Sequence, residues 1–155
     1  MSTPSSSDEI TVQGVVVGDD GSARALEAIE YAVQEAVRRG SPLHVVRAWS
    51  IKTAVRPADI PGGITPSLAE FRAATEQHTR ARLDRVLDGR EIDAHVHAPH
   101  GSPDSRLLEL SHSADVVVVG DRGVSGIAGR FLGSTADALV REAGCPVVVV
   151  RHRPA

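Results

Sequence analysis

The sequence predicts an α/β fold: an open sheet of five parallel strands with helices packed on both faces. Three observations carry this expectation. Short apolar runs rich in β-branched residues recur along the chain, most plainly at Val116–Val119 and Val147–Val150, and four consecutive valines are what a strand buried on both faces requires. Segments with helical spacing separate these runs, so strand and helix alternate, which is the pattern of a parallel sheet joined by right-handed crossovers. Serine, proline and glycine fall at the boundaries between the two kinds of segment, where caps and turns need them.

Residues Met1 to Glu9 are serine-rich, carry Pro4 and show no apolar periodicity, and they read as a disordered leader before a single domain over 10–155. The first strand is expected near Thr11 to Val17. Gly18-Asp19-Asp20-Gly21-Ser22 then turns the chain, and Ser22 can cap a helix whose Leu26, Ile29, Val33 and Val37 share one face, with Gly40 as the stop. Leu43 to Trp49 reads as a second buried strand, introduced by Ser41 and Pro42. Ser50 to Thr65 holds Pro57, Pro61 and the pair Gly62-Gly63, a long connection of the kind that covers binding sites. Thr65 is expected to cap a helix with Pro66 at its first position, running to about Leu87 and ended by Asp88 and Gly89. Ile92 to Ala98 alternates into a third strand. Ser102 and Pro103 start a helix that ends near Ser111, and Asp115 leads into the valine strand Val116–Val119. A helix from Thr135 to Ala143 follows, and Cys145-Pro146 introduces the last strand.

With 155 residues, 41% of them apolar, the chain can bury the core of one ordinary domain without disulfide staples. Aromatic residues are only 3%, so the core must be built from Val, Leu, Ile and Ala, and there is little to stack on bases of nucleic acid. A net charge of -3 gives no global basic field, so neither nucleic acid nor a membrane is an expected partner, and any anion site must be local. The lone Cys145 excludes an internal disulfide framework and reads as a structural thiol between Gly144 and Pro146. No run of about 18 apolar residues occurs, and the polar start MSTPSSSDE lacks the order of a signal peptide, which points to the cytoplasm.

The functional signal is concentrated in Val116 to Ser134, VVVVGDRGVSGIAGRFLGS, which reads as strand, loop and helix start. Gly120, Gly123 and Gly133 stand at the spacing G-x2-G-x9-G, and Ser134 follows as a candidate N-cap. Glycines let backbone N–H groups approach phosphate oxygens, and a helix N-terminus supplies unpaired donors with the positive end of its dipole. Arg122 and Arg130 flank the glycines and can offset the charge of a triphosphate.

The pattern G-x2-G-x9-G-S after a valine strand resembles the ATP-binding motif of the universal stress protein family. VVVGDDGS at Val15 to Ser22 resembles that family's first strand and acidic turn, and CPVVVVR at Cys145 to Arg151 its last strand, so the likeness runs from about Ile10 to Arg151. The resemblance implies a Rossmann-like fold (adenine nucleotide alpha hydrolase-like) with strand order 3-2-1-4-5, whose reversal between strands one and four would bring Asp20 and Gly120 together. It further implies that Asp20 contacts the nucleotide and that Gly18 lies where the backbone passes the base. Gly120, Gly123, Gly133, Ser134 and Thr135 would meet phosphate and ribose, Val119 would line the adenine pocket, and Ala48 would offer a backbone contact to the base. The implied cofactor is ATP, with Mg²⁺ possible on a carboxylate such as Asp20. The last strand, Val147 to Arg151, would pair antiparallel with its copy in a homodimer, which also covers an apolar edge otherwise prone to unwanted pairing.

Two residues depart from the family pattern. Asp121 stands where a small polar residue is more usual, and a carboxylate there would repel phosphates unless a metal intervened. Arg47 stands where the second strand often carries histidine, and it reads as a surface cation at a strand end. His95, His97 and His100 lie close together, the first two on one strand face, yet spacing without a defined second shell or a cysteine pair makes a poor metal site. His44 and His112 have no partner that the sequence identifies. There is no G-x-x-x-x-G-K-[ST] loop and no G-x-S-x-G elbow, and Lys52 is the sole lysine, so no machinery for efficient phosphoryl transfer is visible. The expectation is therefore a dimeric protein that binds ATP as a regulatory ligand in a stress response. ATP would order the Ser50 to Thr65 segment and the 124 to 132 loop into a surface for a protein partner. The alternatives are a slow ATPase using Asp20 or Asp121, a cyclic-nucleotide receptor, and a dimeric interaction module without nucleotide.

Overall fold

The structure is a computed structural model that describes residues 11–122 and 132–153. Its elements run β1 (Val15–Gly18), α1 (Ala23–Arg39), β2 (Leu43–Val46), α2 (Leu68–Leu87), β3 (Ala94–His97), α3 (Pro103–Ser111), β4 (Val116–Gly120), α4 (Ser134–Glu142) and β5 (Val147–Val150). The five strands form one sheet of order β3-β2-β1-β4-β5, and every pairing is parallel. The fold class is the one expected from the sequence, and the strand order is the one the family resemblance implies. β1 sits at the centre, with Val15 level with both Leu43 and Val116.

Alternation along each strand divides the core in two. Val15, Val17, Leu43, Val45, Val116 and Val118 face α1 and α2, where Ile29, Val33, Leu83 and Leu87 meet them. Val16, Val46, Val117 and Val119 face the opposite way, onto Leu107, Leu110, Ala136 and Leu139 of α3 and α4. Burying each valine side chain stabilises the fold by about 1.5–3 kcal/mol before entropy is counted. A run of valines that would look indiscriminate on a one-sided sheet is therefore required here on both sides.

Ser22 and Ser102 cap α1 and α3 as expected, accepting from the N–H groups of Ala25 and Ser105. Gly40 closes α1 in the left-handed conformation, and Asp88 does the same for α2. Several boundaries move. The first strand begins at Val15, not Thr11, because Gly14 (φ +100°) brings the chain alongside Pro42, whose carbonyl accepts from Val15 N at 2.9 Å. The second strand ends at Val46, and Trp49 returns only as an isolated bridge to His100. The third is shortened to Ala94–His97. Helix α2 is capped by Ser67 and not Thr65. Ser67 accepts from Glu70 N while the Glu70 carboxylate accepts from Ser67 N, and this reciprocal box satisfies two orphan donors where Thr65-Pro66 would satisfy one. At α4, Gly133 takes the cap position and Ser134 the first helical one, correcting the expectation that Ser134 is the cap. The leader Met1 to Glu9 lies outside the described residues.

Candidate functional site

Strand order reverses between β1 and β4, and a cleft of about 230 Å³ opens beyond their carboxyl ends. This is where open parallel sheets bind ligands, because the two crossovers diverge there to opposite faces. One end of the cleft is apolar, walled by Val46, Ala48, Leu107 and Val119. The other is formed by Gly120, Arg122 and the start of α4 from Gly133 to Ala136, with Asp20 on the β1 side.

Eight of the ten residues singled out in the sequence line this one cleft: Gly18, Asp20, Ala48, Val119, Gly120, Gly133, Ser134 and Thr135. They come from four separate stretches of chain. Gly123 and Arg130 lie outside the described residues.

Each wall has a local cause. A Cβ on Gly18 would stand 2.8 Å from Leu107 Cδ1 and 3.4 Å from Val119 Cγ1, so glycine is what allows α3 to close over the cleft floor. Asp20 turns one carboxylate oxygen onto Ser22 N at 2.9 Å. The α4 end is set by a backbone tie, Gly133 N donating to Asp121 O at 2.7 Å, and by the first helical bond, Asp137 N to Gly133 O at 2.9 Å. The Gly133 donor is thus already used. Ser134, Thr135 and Ala136, at the first helical positions, have no carbonyl one turn back within the helix, which is the arrangement that receives anions. Thr135 Oγ1 donates to Asp104 Oδ1 at 2.7 Å, fastening α4 to the first turn of α3.

An apolar slot beside a helix N-terminus and a carboxylate suits a ligand with a flat hydrophobic part, hydroxyls and an anionic tail. Nothing in the described residues forms a group of three His, Cys, Asp or Glu side chains able to hold a metal, so a cation here would depend on the ligand for most of its coordination.

Asp121 behaves differently from the sequence expectation. Its carboxylate pairs with Arg24 at 3.2 Å on one oxygen and accepts from His152 N at 3.5 Å on the other. It is compensated by a cation on α1, and it is not among the residues lining the cleft.

Arg47 is also corrected: it is 8% exposed and packs behind the Asp19–Ser22 turn, contacting His78 Nδ1 at 3.4 Å. Burial lowers its pKa, opposed by the nearby charges of Asp19 and Asp20. The residue that sequence reasoning overlooked is Asp19. Its buried carboxylate receives both Nε and a terminal nitrogen of Arg82, at 2.9 and 2.8 Å, and the Gly21 N–H at 3.0 Å. Arg82 lies far along the chain on α2, and no local pattern signals the pairing.

The histidines sort by strand face. His44 is the ring between His95 and His97, stacked at 5.0 and 5.1 Å, and its Nδ1 is 2.9 Å from His97 Nε2. Burial lowers the pKa of His44, and with the neighbouring rings it pushes that of His97 down to about 4. His100 leaves the group and meets Trp49 edge-on at 4.9 Å. Cys145 is half-buried and burial pushes its thiol up, in keeping with a structural role.

Fold and cleft together define a doubly covered parallel α/β protein with its site at the topological switch point. Residues 11–151 match the model of the universal stress protein family, and the chain belongs to that family. Two universal stress proteins of Mycobacterium tuberculosis are 39% identical over 142 residues (88% of this chain, 43% of the relative) and 32% identical over 145 residues (94% and 50%). The chain therefore spans about half the length of these curated relatives. Among solved structures, a universal stress protein in complex with cAMP is 31% identical, covering 89% of this chain and 95% of that one, with a TM-score of 0.63. The universal stress protein UspA from Lactobacillus plantarum shares the fold at a TM-score of 0.67 and 23% identity, covering 92% and 100% of the two chains. Among the described residues, no helix is long and apolar enough to cross a membrane.

Proposed function

We propose that this chain binds an adenine nucleotide in the β1/β4 cleft, with ATP and Mg²⁺ as the working ligand, and that the nucleotide regulates rather than fuels its part in a stress response. The observation that carries the reading is convergence: residues chosen from four stretches of sequence for one ligand line a single cleft. In this reading Val119, Ala48 and the Gly18 backbone take the base, and Asp20 takes a ribose hydroxyl or shares Mg²⁺. The phosphates meet Gly120, Ser134, Thr135 and the α4 N-terminus; Gly123 and Arg130, outside the described residues, are assigned to the same phosphates by the glycine motif alone. A second reading, a cAMP receptor, is favoured by the relative solved in complex with cAMP. Among the described residues of the cleft, none positions a nucleophile with its base, so at most slow hydrolysis is expected.

A homodimer through Val147 to Arg151 belongs to the same proposal. Among the described strands β5 pairs with β4 alone, and its four valines are only half-buried, so a copy of the same edge would complete them. A monomer mass by light scattering at micromolar concentration overturns it. A cytoplasmic location suits the free thiol at Cys145.

The test is calorimetric titration with ATP and Mg²⁺, then with cAMP, beside Gly133→Glu. Gly133 has φ -62°, so its backbone accepts a side chain, and a glutamate there fills the phosphate end with like charge. Saturable binding lost in the variant is expected. An absence of heat for both ligands, with the fold intact and no nucleotide retained through purification, overturns the reading.

A further inference from the structure

The turn that carries Asp20 is held from outside the cleft. Asp19, immediately before it, has a side chain with no exposure, and its partner Arg82 is 13% exposed. One Arg82 guanidinium reaches three acceptors: both oxygens of Asp19 at 2.9 and 2.8 Å, and the Ser22 carbonyl at 2.7 Å. Asp19 also receives Gly21 N, and Asp20 receives Ser22 N. The whole Asp19–Ser22 turn is thereby tied to one side chain on α2. Gly21 sits at φ +84° directly against the Arg47 guanidinium, which a Cβ would meet at 2.8 Å. Two arginines thus back a turn that presents two carboxylates. Both carboxylates belong to the cleft lining; Arg82 binds that of Asp19 directly, and Arg47 feels the charge of Asp19 and, more weakly, that of Asp20.

We infer that Arg82 is a positioning residue for the nucleotide, acting through Asp19 and the Asp19–Ser22 turn to fix the direction of the Asp20 carboxylate. The inference rests on the nucleotide reading above and names a further residue in the same site. The forked geometry matters. A lysine keeps the charge but, as a point donor, cannot hold two carboxylate oxygens and a carbonyl in one plane. Arg82→Lys should therefore keep the buried charge compensated and the protein folded while loosening the turn.

The experiment titrates Mg²⁺-ATP, and separately cAMP, into wild type and Arg82→Lys, and follows amide hydrogen exchange in the absence of ligand. Gly21 and Ser22 report the turn, because their N–H groups bond to the Asp19 and Asp20 carboxylates. Val117, at the buried centre of β4, reports global opening. The expected result is about a tenfold loss of affinity, with faster exchange at Gly21 and Ser22 and none at Val117. Unchanged affinity in the folded variant overturns the inference. So does a loss accompanied by equal acceleration at Val117, which assigns Arg82 a merely structural role. A wild-type chain that binds neither nucleotide overturns the function reading and this inference together, whereas binding by wild type with no loss in Arg82→Lys overturns the inference alone.

Discussion

Gly18→Ala tests whether the cleft floor is set by packing rather than by backbone conformation. The added Cβ would lie 2.8 Å from Leu107 Cδ1 and 3.4 Å from Val119 Cγ1, against an optimal carbon separation of about 3.5–4.0 Å. Gly18 does not occupy the left-handed region, so the cost is steric. Overpacking by one methyl costs about 1–3 kcal/mol. For a chain of this size each kcal/mol lowers Tm by about 2–4 °C. The close atom is the end of a leucine, which can turn, so the lower part of the range applies and Tm should fall by about 2–6 °C. Leu107 is 2% exposed, and Leu107→Ala alone should cost about 2–5 kcal/mol. In the double variant the new methyl enters the space the leucine vacated. Urea unfolding of all four proteins should then show the double variant more stable than the summed single effects by at least about 1 kcal/mol. Additivity within about 0.5 kcal/mol would refute the reasoning.

Three further outcomes are expected. His97 has its pKa pushed down to about 4 in the folded chain against about 6.5 unfolded, so its contribution to stability is fully present above pH 6.5 and is lost as pH falls toward 4. That contribution is at most about 3 kcal/mol. His97→Gln should flatten the urea-derived stability profile across that window, and a profile parallel to wild type would argue against it. Trp49 donates its Nε1–H to the Ala98 carbonyl at 2.7 Å while fully buried, so Trp49→Phe should cost about 1–3 kcal/mol by leaving that acceptor unmet, measurable by chemical denaturation. Ser67→Ala should cost about 0.5–2 kcal/mol through loss of the cap of α2, whereas Thr65→Ala should stay within about 0.5 kcal/mol; equal losses in thermal unfolding would mean the helix starts earlier than Leu68.

The alternation of strands and helices was legible because a parallel sheet buried on both faces leaves so blunt a mark: valine after valine, then serine at each turn. The cleft residues were legible for a related reason. Gly120, Gly133 and Ser134 belong to one local pattern, and Asp20 to another that follows the first strand. What escaped was interaction across the chain. Asp19 and Arg82 are brought together only when α2 packs beside α1, and Asp121 meets Arg24 only because β4 lies next to β1. His44 finds His97 through the register of β2 and β3. The misplaced start of α2 has a different origin. Thr65-Pro66 and Ser67 with Glu70 both satisfy helix-start rules, and the second wins by making two bonds.

The tie between Gly133 N and Asp121 O closes the chain on itself around residues 122–132. The cost of closing such a ring grows only with the logarithm of its length, about 0.6 kcal/mol for each doubling. Insertions or replacements between the two anchors therefore leave the register of β4 and the aim of α4 almost untouched. The interval is thus free to vary in length between two fixed posts, while the strand and helix on either side of it hold their places in the sheet.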